Sequence, residues 1–381
     1  MNPPRRHILL ALGWYSSAIH RGIARYAREA NWVLDTGMTR DGRLPALWQG
    51  DGVISLLHTG ADLYEFVRTC GRPVVNIGDC TLPDVPNVRC DDDAIGRMAA
   101  DHFTERGFRH GAFFLRSDVP SAIRRMEAFR RNLEKSGGTF HLIDWVSRCR
   151  ADPGLSESGL LAWLGQELLK LPRPLAVFSE HDEVSIEVLQ ACQTSEIPVP
   201  EQVAVLGVDD DPLRCEFAPV PLSSIDNNQE MEGYRAAQTL ERMLGGWRAG
   251  QRDLLVPPLG VTTRLSTDIL AVRHPHVAAA LHHIWQNYTR PINAKTVAAT
   301  VPITYQALHA AFKKELRRTI AEEITLKRLE KAQQLLAETN LRAHEVAEAC
   351  GFPSEDRMGR VFKRILNQTP LEYRRENALR S

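Results

Sequence analysis

The 381-residue sequence lacks the features that define several classes of protein. Its seven cysteines are odd in number and no two are spaced as C-x-x-C, which argues against a disulfide framework and against a zinc site. No apolar run approaches the roughly 18 residues that a membrane-spanning helix needs. Apolar residues make up 43% of the chain and charged residues 25%, as in a globular protein of more than one domain. We expect a cytoplasmic protein with no membrane partner.

The motifs of common catalytic and cofactor sites are also missing. There is no G-x-S-x-G nucleophile elbow, no Walker phosphate loop, and no G-x-G-x-x-G after the first predicted strand. The aspartate runs at 91–93 and 209–211 do not have the ligand spacing of a calcium-binding loop. We therefore expect that the protein is not an enzyme and that it holds no cofactor and no metal.

The segment after Arg5 and Arg6 superficially resembles an export signal. Its apolar run, 8–12, is short, and polar and charged residues follow soon after it. An export signal has a longer apolar core and a small-residue cleavage site. The segment instead predicts a first buried β-strand in a protein that stays in the cytoplasm.

Charge is distributed unevenly along the chain, although the formal net charge is zero. Residues 275–381 hold 17 Lys and Arg against 11 Asp and Glu, whereas residues 1–274 hold 30 against 36. A basic C-terminal part on an acidic body favours a polyanion-binding module joined to a part that binds a neutral or polar ligand.

Strand and helix patterns alternate from residue 6 to about residue 224, which predicts parallel sheets covered by helices. We expect two α/β lobes, at 5–110 and 111–225, with a cleft between them, then a helix at 229–245 and a last strand at 261–264 that crosses back. This body would occupy residues 1–272. The other predicted strands are 7–12, 32–35, 52–56, 73–77, 111–115, 140–143, 176–178 and 203–208.

Charged and aromatic side chains stand just past the ends of predicted strands, where ligands bind in such folds. Asp182 and Asp209 could accept hydrogen bonds from sugar hydroxyls, and Arg125 could donate in a fork. Trp14 and Tyr15 could cover the apolar face of a sugar ring. The alternatives are that Asp209 belongs to a turn or helix cap and that Arg125 lies on a solvated face.

After about residue 275 the strand patterns stop and helical patterns follow one another. Two pairs of helices, each joined by a short turn, resemble helix-turn-helix units, and a long helix at 319–338 connects them. A plain helical bundle with solvated charged faces is the alternative. The predicted helices are 275–288, 293–300, 304–316, 319–338, 342–350, 354–366 and 370–378.

Ordered motifs in this region resemble the signature of AraC-type transcription regulators. They are RLEKA at 328–332, LLAET at 335–339, VAEACGF at 346–352, RVFKR at 360–364 and TPLEYR at 369–374. The resemblance implies a DNA-binding domain at 273–381, which would place one recognition helix of each unit in the major groove of operator DNA. The chain departs from the family at Arg342, Met358 and Ala310.

The resemblance also assigns roles to residues of the two recognition helices. Arginine can pair with guanine and glutamine with adenine, so base contacts by these side chains are chemically reasonable. Lys363 lies toward the end of the second recognition helix, where a phosphate contact is expected. The implied base-facing residues are Tyr305, Gln306 and His309 in the first unit and Glu355, Asp356, Arg357 and Arg360 in the second.

The body resembles the LacI-type, periplasmic-binding-protein-like sensor domain. The matching residues are IPVP at 197–200, VAVLGVDD at 203–210, and an arginine four residues before Phe129. In that family, positions that match Arg125, Asp182 and Asp209 contact the sugar. Ala128 replaces the usual glycine.

The combination of both parts, with GIARYA at 22–27 and RLSTD at 264–268, resembles the xylose-responsive activators. The resemblance implies a cytoplasmic regulator, expected to be a homodimer, that works with RNA polymerase and responds to a monosaccharide effector, with a pentose favoured. The alternatives are the same architecture with a different sugar, or a solute-binding protein that does not bind DNA.

Overall fold

The computed structural model describes residues 5–38, 43–45, 47–57, 61–152, 159–247, 253–269, 272, 274–339 and 341–377. The chain divides into two compact units between Thr267 and Asp268, and the short segments 106–108 and 200–202 group with the second unit. The expected boundary between residues 272 and 273 stays a prediction.

The described residues of the first unit form two six-stranded sheets, in the orders β2-β1-β3-β4-β5-β11 and β7-β6-β8-β9-β10-β12. Neighbouring strands are parallel except for β10 and β12. The strands are β1 His7–Leu12, β2 Val33–Asp35, β3 Gly52–Leu56, β4 Val74–Ile77, β5 Asn87–Cys90, β6 His110–Leu115, β7 Thr139–Asp144, β8 Leu175–Ser179, β9 Val203–Val208, β10 Ser223–Asp226, β11 Leu254–Val256 and β12 Gly260–Thr262.

Helices cover both sheets because their apolar stripes pack on the buried strands. The strands β1, β3 and β9 are mostly apolar, and all but one of their residues are buried. The described helices of the first unit are α1 Ser17–Glu29, α2 Ala61–Thr69, α3 Asp92–Glu105, α4 Pro120–Lys135, α5 Trp145–Ala151, α6 Leu160–Lys170, α7 Asp182–Thr194, α8 Pro212–Glu216 and α9 Gln229–Leu244.

The described chain passes between the two lobes at three places: after β5, before α9, and between β11 and β12. The predicted division into 5–110 and 111–225 is wrong for α3, which packs on α4 in the second lobe. The Phe103 ring of α3 meets the Phe129 ring of α4 with centroids 6.2 Å apart. Conversely, α9 follows strands of the second lobe but packs on the first lobe, where its residues Ala236 and Leu240 are part of the hydrophobic core.

The second unit is helical, and a 19-residue helix joins its two halves. Ile320 and Ile324 of that helix lie in the core of the first half, and Leu329, Ala332 and Leu336 lie in the core of the second. The described helices are α10 Pro275–Asn287, α11 Ala294–Ala298, α12 Tyr305–Leu316, α13 Ile320–Glu338, α14 Ala343–Ala349, α15 Glu355–Leu366 and α16 Pro370–Asn377.

Candidate functional site

Arg125 lies buried on α4, one turn beyond the loop that follows β6. Its Nε donates to Asp92 Oδ1 at 2.8 Å, and an Nη atom donates to the carbonyl of Glu180 at 2.5 Å. Burial lowers the pKa of Arg125, but the nearby Asp92 charge outweighs it and raises the pKa above its usual range. The guanidinium is therefore a permanent cation held in one orientation, and Arg125 does not lie on a solvated face.

Asp209 directly follows β9, with a positive φ of 114° that a residue with a side chain adopts rarely. Its Oδ1 accepts hydrogen bonds from Asn227 at 2.7 Å and from Gln229 at 3.0 Å. Both of these donors thus bond the same oxygen of the carboxyl group, and ligand contact by Asp209 stays a prediction. Burial, and then the charge of Asp182, raise the pKa of Asp209 to about 7, although Arg125 opposes them.

Asp182 begins α7 and is only 1% exposed. Its oxygens accept from Ser224 Oγ at 2.5 Å, from the backbone N–H of Asp211 at 3.0 Å, and from Cys215 Sγ at 3.3 Å. Burial raises its pKa to about 6 despite these hydrogen bonds. The contacts favour a supporting role in the turn that carries Asp209, and direct ligand contact by Asp182 stays a prediction.

Trp14 and Tyr15 follow β1, and their side chains are 45% and 51% exposed. The Tyr15 hydroxyl lies 3.2 Å from Nδ1 of His20. The next residue, Ser16, donates to Gln229 at 2.6 Å, and Gln229 in turn donates to Asp209. Two hydrogen bonds thus connect the first-lobe turn that carries the aromatic rings to Asp209.

Four further ionisable residues surround this cluster, and the sequence reasoning did not select them as ligand residues. Asp92 pairs with Arg125, and Glu180 accepts from Ser117 Oγ at 2.6 Å. Burial, and then the positive charge of Arg125, lower the pKa of His181 to about 4. Burial raises the pKa of the buried Glu232 to about 8. Glu180 and His181 directly follow β8, so their position after a strand could have identified them.

The recognition helices predicted from the sequence are present as α12 and α15, each begun by a hydroxyl cap. Thr304 accepts from the Ala307 N–H and Ser354 from the Arg357 N–H, both at 3.2 Å. Leu308 and Phe312, on the inner side of α12, are buried. Met358 of α15 stands where the AraC-type pattern has an aromatic residue, and its side chain is fully buried in the core.

The predicted DNA-contacting residues of these two helices lie away from their cores. The Tyr305 and His309 rings stack with centroids 5.8 Å apart. Of the eight predicted residues, only His309 is half-buried. The exposed ones are Tyr305, Gln306, Glu355, Asp356, Arg357, Arg360 and Lys363.

Arg360 and Lys363 each have a side-chain nitrogen near a backbone carbonyl of α15 or of the residue after it. The Nε of Arg360 lies 3.4 Å from the Asp356 carbonyl, and the Nζ of Lys363 lies 3.2 Å from the Asn367 carbonyl. Their charged groups thus lie on the outside of the helix. DNA contact by all eight residues stays a prediction.

No group of three metal-ligating side chains occurs among the described residues. In the same residues, no helix is both long and apolar enough to cross a membrane.

Comparisons with known proteins agree with both halves of this architecture. Residues 100–267 match the model of a periplasmic binding protein-like domain, and residues 297–376 match that of a helix-turn-helix domain. A two-lobed sensor joined to two helix-turn-helix units defines a sugar-responsive DNA-binding transcription regulator.

Relatives over most of the chain identify the family. The xylose operon regulatory protein of Haemophilus influenzae is 30% identical over 77% of this chain and 75% of its own. That of Escherichia coli K12 is 28% identical over 96% of this chain and 95% of its own. The solved structure of the xylose-binding transcription activator xylR covers all of both chains at 28% identity with a TM-score of 0.73. The chain belongs to the family of xylose operon regulatory proteins, which confirms the predicted fold class and resemblance.

Proposed function

We propose that this protein is a cytoplasmic activator whose effector is an uncharged pentose of the xylose type. The sugar binds between the lobes, against Arg125 and Asp209, and the second unit binds operator DNA through both recognition helices. The active form is a homodimer that works with RNA polymerase, and the protein catalyses no reaction. The sensor spans 1–272 and the DNA-binding domain 273–381.

The placement of Arg125 and Asp209, close enough for the charge of each to shift the pKa of the other, is the observation that carries the sugar assignment. A fixed guanidinium offers hydrogen-bond donors, and the Oδ2 atom of Asp209 offers an acceptor, which together match the mixed donor and acceptor character of hydroxyl groups. Asp182, Glu180 and Glu232 make the surroundings rich in carboxyl groups. Any of these carboxyl groups that ionises would repel a phosphate or carboxylate ligand, which favours an uncharged sugar.

The relatives' names support the choice of a pentose. The curated relatives are called xylose operon regulatory proteins, and the solved structure is called a xylose-binding activator. A regulator of the same architecture that responds to a different sugar is the second candidate, because the described contacts do not distinguish one ring substituent from another.

A thermal-shift screen of the full-length protein against D-xylose, other pentoses, hexoses and sugar phosphates tests this proposal. A ligand at 100 times its Kd stabilises the folded state by about 2.7 kcal/mol. D-xylose should raise the melting temperature by several degrees, and the sugar phosphates should not. A larger shift with a hexose would assign a different effector, and no shift with any sugar would contradict the proposal.

A further inference from the structure

Arg328 lies on the long helix α13 at the point where its contacts change from one core to the other. Ile324 belongs to the core of the first helix-turn-helix unit, and Leu329 belongs to the core of the second. A side chain at this junction can reach parts of both units.

The Arg328 guanidinium holds the loop that follows α10. Its Nε donates to the Tyr288 carbonyl at 2.7 Å, and its Nη2 donates to the Arg290 carbonyl at 2.9 Å. The fork therefore holds the carbonyl groups of the two residues that flank Thr289 in sequence. The loop belongs to the first helix-turn-helix unit, because Ile284, near the end of α10, is buried in the core of that helix-turn-helix unit.

The same loop contacts the turn of the second helix-turn-helix unit. Gly351 stands between α14 and α15 with a φ of 75°. A Cβ atom built on Gly351 would come within 2.6 Å of the Thr289 carbonyl oxygen and 2.7 Å of its Cα. The two backbones are thus packed so closely that no side chain fits between them.

We propose that Arg328 is a positioning residue for DNA recognition, which sets the separation of the two recognition helices by holding Thr289 against Gly351. Each protomer then binds two half-sites, one for each of its recognition helices, at one fixed spacing. This inference rests on the proposed function, in which both units bind the same duplex.

The geometry of DNA makes the spacing measurable. One turn of the duplex takes about 10–10.5 base pairs, so one inserted base pair moves the second half-site along the axis and rotates it by roughly 35°. A rigid pair of units loses its contacts with one half-site. Since a single mismatched base pair costs roughly 1–3 kcal/mol, we expect at least about a five-fold loss of affinity for the wild-type protein.

The test compares spacing preference and not affinity alone. The probe is a duplex selected by the full-length wild-type protein from a random-sequence pool, together with a copy that carries one extra base pair between the two half-sites that one protomer contacts. We expect Arg328→Ala to bind the two duplexes with a ratio within about three-fold, because its units can adjust. Thr325→Ala is the matched control on the same helix, since its hydroxyl bonds only the Ala321 carbonyl among the described residues.

If Arg328→Ala discriminates between the two duplexes by the same affinity ratio as the wild-type protein, the inference is wrong, whatever the absolute affinity of the variant. If that variant does not fold, as judged by circular dichroism, Arg328→Lys serves in its place because an ammonium group keeps the charge without the planar fork. The same two readings then apply. A wild-type protein that selects no sequence contradicts the proposed function itself, and the inference is then rejected with it.

Discussion

Arg124 of the second lobe pairs with Asp79, which lies just past the end of a first-lobe strand. The other Asp79 oxygen accepts the backbone N–H of Ser121 at 2.9 Å. Arg124 also donates to Asp92 at 2.9 Å, and Asp92 in turn holds Arg125. A continuous set of charged contacts therefore links the first lobe to the arginine assigned to the sugar.

We predict that Asp79→Asn weakens sugar binding, although neither Asp79 nor Arg124 is assigned a contact with the sugar. The amide oxygen can still accept from Ser121, but the ion pair with Arg124 is lost. A partly exposed pair of this kind contributes roughly 1 kcal/mol, so the Kd should rise about five-fold. Calorimetric titration measures the change.

The control for this substitution is Asp93→Asn. Asp93 pairs with Arg131 at 2.8 Å, and both side chains are 63% exposed, so this ion pair is well solvated. Its loss should leave the sugar Kd unchanged. Equal effects of the two substitutions would mean that the Asp79 pair has no specific part in binding.

Asp209→Asn should reduce the sugar response and leave DNA binding almost unchanged. The substituted residue keeps its shape, but while its amide oxygen accepts from Asn227 and Gln229, an NH2 donor replaces the acceptor Oδ2. Loss of a charged hydrogen bond costs about 1.5–3 kcal/mol, which is a factor of about ten or more in affinity. Sugar titration and operator binding without sugar are measured on the same preparation. An unchanged sugar Kd would assign Asp209 to the turn alone.

Long apolar strands could be predicted from the sequence, but short polar ones could not. The predictions for β1, β3 and β9 have the same bounds as the observed strands, because short, mostly apolar runs are typical of strands that are buried on both faces. The strand β10 was missed because it begins with Ser223 and Ser224, both fully buried. Their polarity is satisfied by tertiary contacts, such as the Ser223 N–H to Ser266 Oγ bond at 2.8 Å.

The lobe assignment of α3 and the detail of the cluster also depend on tertiary structure. Chain order suggests that α3 belongs with the strands before it, whereas the chain crosses between lobes after Cys90. The sequence places both His181 and Asp182 after β8 but does not show which side chain lies inside the lobe. Only the packing shows that Asp182 is enclosed by Ser224, Asp211 and Cys215.

Sugar affinity should rise with pH between about 6 and 7.5. The raised pKa of Asp209, about 7, means that the sugar-free protein keeps a proton there in mild acid. If the carboxylate is the acceptor for the sugar, binding one pH unit below this pKa is about ten-fold weaker. The free energy of unfolding should follow the opposite trend, since a group with a raised pKa in the folded state stabilises it at low pH and loses that contribution as pH rises to about 7.

Calorimetric titrations across this pH range measure the effect on binding, and Asp209→Asn is the reference. In the variant, the pH dependence should be confined to the acid side, near the pKa of about 6 for Asp182. A wild-type Kd that does not change with pH would show that the ionisation of Asp209 is not linked to sugar binding.

The last prediction separates base recognition from phosphate contact on α15. Arg360 lies on the exposed side of the helix, above the buried Val361 and Phe362, and Lys363 lies in its last turn. Arg360→Ala should cost about 1–3 kcal/mol and relax the preference at one base pair. Lys363→Ala should weaken binding to every sequence about equally and lower the salt slope by about one unit, because it removes one phosphate contact. Both variants are titrated on operator and scrambled duplexes at several salt concentrations. If Arg360→Ala loses equal affinity for the two duplexes, Arg360 contacts the backbone, and the assignment of α15 as the base-reading helix loses its main support.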